Sequence, residues 1–132
     1  MFEPLRDPMF GSRAKDVDLL PLMNELADAI RGAYTPFGDP TDTLVTKVIL
    51  GTLGCLPACD RYFVQGCRAH GIPYSSLNDH FLRRLLEFVG RNSVGLTKEQ
   101  ERLTEDRGIE YPLMKLVDMY LWEQGFRNRE TK

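Results

Sequence analysis

Lys47-Val48-Ile49-Leu50-Gly51-Thr52-Leu53-Gly54-Cys55-Leu56-Pro57-Ala58-Cys59-Asp60-Arg61 is the stretch on which the fold turns. An apolar run carrying one lysine stops at Pro57 and restarts on Asp60. Upstream, Leu44, Val45, Val48, Ile49, Thr52 and Leu53 recur at helical spacing and form one wide stripe. The β-branched residues Thr43, Val45, Thr46, Val48, Ile49 and Thr52 would also suit a buried strand. Length decides for a helix starting near Thr41 or Asp42, because about 12 residues is long for a strand. Gly51 and Gly54 each weaken a helix by about 1 kcal/mol relative to alanine, a cost that close approach of a neighbouring helix would offset. Asp60 is placed to cap the next helix through its side-chain oxygen.

Working outward, residues 1–14 read as an extended arm. Asp16 or Asp18 caps a first helix, with Pro21 in its tolerated first turn. Leu19, Leu22, Met23, Leu26, Ala27 and Ile30 share one face of that helix, and Gly32 ends it. After the corner, a short helix buries Phe63, Val64 and Cys67 and closes at Gly71. Ser76 and Asp79 form a loose capping box for a fourth helix with Leu77, Phe81, Leu82, Leu85, Leu86, Phe88 and Val89 on its apolar face, ending at Gly90. Thr97 and Gln100 form a capping box for a short polar helix that stops at Gly108. The last helix opens at Pro112, buries Leu113, Leu116, Val117, Tyr120 and Leu121, and ends at Gly125. Residues 127–132 are a charged tail. The expected fold is all-α: a compact orthogonal bundle of about six helices spanning residues 15–126, with no sustained heptad.

The 132 residues suffice for one domain with its own core. Hydrophobic residues make up 42% and charged residues 27%, a globular balance. No run approaches the roughly 18 apolar residues of a membrane span, and residues 1–12 lack the pattern of a secretory signal. Three cysteines, an odd number, fit reduced thiols better than a disulfide scaffold. These features predict a cytoplasmic protein. A net charge of -2 disfavours general nucleic-acid binding, though Arg83, Arg84 and Arg91 offer a local basic patch.

Lys47 and Asp60 are the first chemical candidates. A buried lysine loses proton affinity and becomes a nucleophilic amine; a lysine that reaches solvent, beside an aspartate that only caps, is the structural alternative. Thr46-Lys47, an apolar stretch and Pro57-x-x-Asp60 resemble the core of the helix-hairpin-helix DNA glycosylase superfamily, as does the closing segment Lys115-Leu116-Val117-Asp118-Met119-Tyr120-Leu121-Trp122. The resemblance implies a helix, a proline-bearing turn and an aspartate-led helix, with Lys47 as Schiff-base nucleophile and Asp60 as catalytic carboxylate. Three departures stand against the activity. Gly38-Asp39-Pro40-Thr41-Asp42 replaces the glycine hairpin that grips DNA phosphate, the lysine-to-aspartate spacing is shorter, and the chain is small for an enzyme with a cleft between two halves.

Cys55, Cys59, Cys67 and His70 could supply a Cys₃His zinc site, but Pro57 and apolar neighbours favour buried core thiols, and no cofactor is expected. His80 beside Asp79 lacks a further partner for acid–base work. Met119, Trp122 and Phe126 form a flank of the last helix outside its main stripe, the kind of surface that meets a partner. The favoured expectation is non-catalytic binding of another protein, or of a second copy, through that flank. A DNA-processing lyase using Lys47 and Asp60 is the alternative.

Overall fold

The computed structural model describes residues 1–130, with side chains as far as Asn128. Among these residues there are six α-helices and no strand: α1 (Leu20–Tyr34), α2 (Asp42–Thr52), α3 (Arg61–Ala69), α4 (Asp79–Arg91), α5 (Ser93–Arg107) and α6 (Leu113–Glu130). The all-α expectation holds, and the decisive stretch is helix, turn and helix rather than strand. Thr41 caps α2 by accepting the Leu44 N–H at 3.1 Å, and Asp60 caps α3 by accepting the Phe63 N–H at 2.9 Å.

Several boundaries differ from the sequence reading, some because a tertiary contact outweighs a local signal and some because a neighbouring residue takes the cap. Residues 1–14 are no extended arm. They hold a 3₁₀ turn (Glu3–Arg6) and bury Leu5 and Phe10 in the core. Asp16 does not cap α1. It lies 1% exposed, accepts the backbone N–H groups of Gly11 and Arg13, and pairs with the Arg13 guanidinium. α1 then follows a 3₁₀ segment (Ala14–Leu19), keeps Pro21 in its first turn and runs through Gly32. Asn78, not Ser76, caps α4. The fifth helix starts at Ser93, so Thr97 and Gln100 stand inside it. Gln100 is buried and donates to the carbonyls of Tyr111 at 2.7 Å and Pro8 at 3.2 Å. The last helix passes Gly125 and reaches Glu130, which absorbs most of the expected tail; residues 131–132 lie outside the described residues.

α2 ends at Thr52, before Pro57, because Gly54 turns the chain through a left-handed conformation (φ 70°) against Pro112. Its buried positions are Val45, Thr46 and Ile49, whereas Leu44 is 38% exposed. Thr46 is buried because its hydroxyl both donates to the Asp42 carbonyl and accepts the Cys59 N–H at 2.8 Å, tying α2 to the corner.

The core is built on α3 and α6, which run antiparallel. Tyr62 faces Gly125, and Gly66 faces Leu121. A Cβ built on Gly66 would fall 2.7 Å from the Leu121 carbonyl carbon, and one on Gly125 would fall 2.7 Å from that of Tyr62 and 3.0 Å from the Gly66 nitrogen. The two backbones therefore touch, and a Cα–H of each glycine faces the other helix's carbonyl. Gly51, expected to play this role, faces open space. Around the crossing, Phe63, Cys67, Val117 and Leu121 are fully buried. Each large apolar side chain so removed from water contributes about 1.5–3 kcal/mol. Phe81 of α4 meets Phe63 and Tyr74 edge-on, at 6.4 and 4.8 Å between ring centres.

Candidate functional site

At the α2–α3 corner, Lys47 and Asp60 do not act as a pair. Lys47 is exposed on α2, and among the described residues no ion pair joins it to Asp60. Asp60 is occupied as a helix cap. Behind the corner, Asp118 of α6 accepts the Ala58 N–H at 3.0 Å. Burial raises the Asp118 pKa above its ordinary value and nearby Asp60 adds to the rise, while the Ala58 N–H and Lys115 oppose it. Asp42, one of the two acids in the segment replacing the glycine hairpin, is an internal tie. It accepts the Arg31 guanidinium at 2.6 Å, the Leu77 N–H at 2.8 Å and the Tyr74 hydroxyl at 2.9 Å. Burial pushes its pKa up, but these donors outweigh it and leave the carboxyl below its ordinary value.

The thiols are core fillers. Cys55, Cys59 and Cys67 are all buried and unpaired by disulfides. Burial pushes Cys55 and Cys59 up to about 12, and Cys67 upward as well, so none carries useful thiolate at neutral pH. With His70 they do not converge. Among the described residues no group of three or more His, Cys, Asp or Glu side chains is arranged to hold a metal ion. His80 is exposed at the start of α4. Arg83 and Arg84 are exposed on the same helix, where Arg84 donates to the Gly71 carbonyl at 3.3 Å.

Two surfaces group aromatic or mixed polar and apolar side chains. The first is the α6 flank. Trp122 and Phe126 stack 5.2 Å apart at 11°, and Tyr62 of α3 stands edge-on to both at 5.3 and 5.5 Å. Met119 continues this row one turn earlier and is 48% exposed. The antiparallel crossing of α3 and α6 builds the row, because it lays Tyr62 between two residues of the facing helix.

The second is an open groove of ≈440 Å³ where the end of α3, the α4–α5 junction and α6 meet. Phe88, Leu96 and Val117 supply apolar lining; His70, Arg91 and Tyr120 supply polar groups. The Tyr120 hydroxyl lies 3.3 Å from His70 Nε2, and the His70 ring stands edge-on to Phe88 at 5.5 Å. Sequence reasoning placed His70 among metal ligands and Tyr120 in the core; in fact Tyr120 is 43% exposed. Fifty positions separate the two, and only the α3–α6 register brings them together. No helix among the described residues is long and apolar enough to cross a membrane. Comparisons with protein-family models, curated proteins and solved structures gave no match to this chain.

Proposed function

We propose that this protein is a non-catalytic binding module that engages another protein through the outer flank of α6. The observation that carries the reading is the row Met119, Trp122 and Phe126. A thioether nearly half exposed to water continues a rigid aromatic stack held from behind by Tyr62. Exposed methionine beside aromatic side chains gives a large, adaptable apolar contact at low entropic cost, the composition of interface centres. Neighbouring charges of both signs, Arg61, Glu123 and Arg127, are exposed and suit a polar rim. The lyase alternative draws no support from the geometry, because Lys47 faces water and Asp60 is spent on a helix cap.

The test is site-specific photo-crosslinking in cells that make the protein. A photoreactive residue at position 119 should give a discrete protein adduct, and the same residue at the exposed α5 position 105 should not. Trp122→Ala should abolish the adduct at 119 while the helical circular dichroism persists. Equal labelling at 119 and 105, or no discrete adduct at 119, refutes the proposal. An adduct with the mass of two chains identifies the partner as a second copy.

A further inference from the structure

From the groove at the α4–α5 junction we infer a second binding site, separate from the α6 flank, for a small organic monocarboxylate with an apolar body. Its lining is chemically one-sided. Phe88, Leu96 and Val117 offer an apolar bed, and no acidic side chain lines the groove. Arg91 supplies an exposed guanidinium that makes no ion pair or hydrogen bond among the described residues, whereas Arg13, Arg31, Arg102 and Arg127 are each paired with a carboxylate. A planar guanidinium with its donors unused is matched to a carboxylate, which it can hold by two parallel hydrogen bonds.

The α3–α6 side of the groove adds a second donor. When the 3.3 Å contact is made by His70 Nε2–H donating to the Tyr120 oxygen, the Tyr120 hydroxyl proton is free for the ligand. Asn92 also lines the groove. Its amide nitrogen already donates one hydrogen to the Phe88 carbonyl at 2.8 Å and keeps the other. The ligand is then held at one end by charge and along its length by burial. A volume of ≈440 Å³ is that of a small-ligand cleft, about 300–1,000 Å³. A protein partner would cover about 800 Å² of surface, for which the α6 flank is the better candidate.

Octanoate is the probe, followed by calorimetric titration and by amide shifts of ¹⁵N-labelled protein. Saturable one-site binding is expected, with the largest shifts at Gly95, Leu96 and Val117. Arg91→Gln should weaken it at least about tenfold, whereas Lys98→Gln, which removes a positive charge one turn along α5, should change it by less than about twofold. Gly95→Phe is the second variant. Gly95 lines the groove in the first turn of α5 with nothing within 4 Å of where its Cβ would stand, so the ring fills the ligand's space without disturbing the core. It should abolish binding and leave the melting temperature equal or higher. Octanol binding as tightly as octanoate, no loss with Arg91→Gln, or unchanged binding in Gly95→Phe overturns the inference. A peptide with a free C-terminal leucine binding at least about tenfold tighter than octanoate overturns it in favour of capture of a protein C-terminus. Because Met119, Trp122 and Phe126 do not line the groove, crosslinking at position 119 and octanoate binding succeed or fail independently.

Discussion

Replacing Gly66 or Gly125 by alanine tests the α3–α6 crossing directly. A carbon approaches another carbon comfortably at about 3.5–4.0 Å. The new Cβ would overlap the facing carbonyl oxygen and start 2.7 Å from its carbon in either variant, so more than about 1 Å must be found. The obstacle is helix backbone, which cannot swing aside as a side chain does, so one helix must shift and loosen the packing of Phe63, Cys67, Val117 and Leu121. Overpacking of this kind costs about 3 kcal/mol at the upper end of the usual range. Alanine returns about 1 kcal/mol of helix propensity, leaving a net loss of about 2 kcal/mol. For a chain of this length that is about 8 °C in Tm. Gly51→Ala in α2 and Gly90→Ala in α4 serve as controls, since a Cβ at either meets nothing within 4 Å. Each should be stabilised by about 0.5–1 kcal/mol. Thermal unfolding followed by circular dichroism at 222 nm should therefore move in opposite directions for the two pairs. The double variant Gly66→Ala/Gly125→Ala should lose less than the two single losses together, because one displacement makes room for both methyl groups. Gly66→Ala and Gly125→Ala each melting within about 2 °C of the parent would refute the backbone contact.

Asp42→Asn should lose about 2 kcal/mol at pH 7 through its charged hydrogen bonds. Because the folded carboxyl sits below its ordinary 3.8, this stability is whole above that value and fades as pH falls through the depressed one; the gap between variant and parent in urea titrations should close in the same window. Asp118→Asn should behave oppositely. Its carboxyl sits above 3.8, so the ionised form weakens the fold as pH rises through the raised value. The asparagine variant keeps an oxygen for the Ala58 N–H, should melt no lower than the parent at pH 7, and should lose any advantage in acid. Gln100→Ala removes the donor to the Tyr111 carbonyl and one of two donors to Pro8, and should cost about 1–3 kcal/mol by denaturant titration.

The helices were legible where burial and local signal agree. α4 carries its apolar residues on one stripe, and Phe81, Leu82, Leu85, Phe88 and Val89 are all buried. Asp60 is visible as a cap because it follows a proline and precedes an apolar turn. What misled were residues whose local meaning a distant contact reverses. Gly125 reads as a helix stop but stands mid-helix because Tyr62 of α3 leaves no room for a Cβ. Gln100 reads as half of a capping box but is the buried donor for two distant carbonyls. The exposure of Met119 was foreseeable, because the apolar residues of α6 exceed what one stripe needs, whereas Trp122 and Phe126 are half-buried. The groove was not: His70, Arg91 and Tyr120 meet only through helix register, which leaves no trace in spacing.

The anchoring of residues 5–11 bears on how the chain is made. The Pro8 carbonyl accepts the Leu113 N–H at 2.8 Å, and Gly11 lies against Met114 and Val89. Emerging from a ribosome, Pro8 and Gly11 meet these α6 partners only after about 100 further residues are made, at synthesis rates of about 5–20 residues per second. Until α6 is made, this contact has no partner, and the core that Leu5 and Phe10 share with Leu113, Met114 and Val117 cannot close.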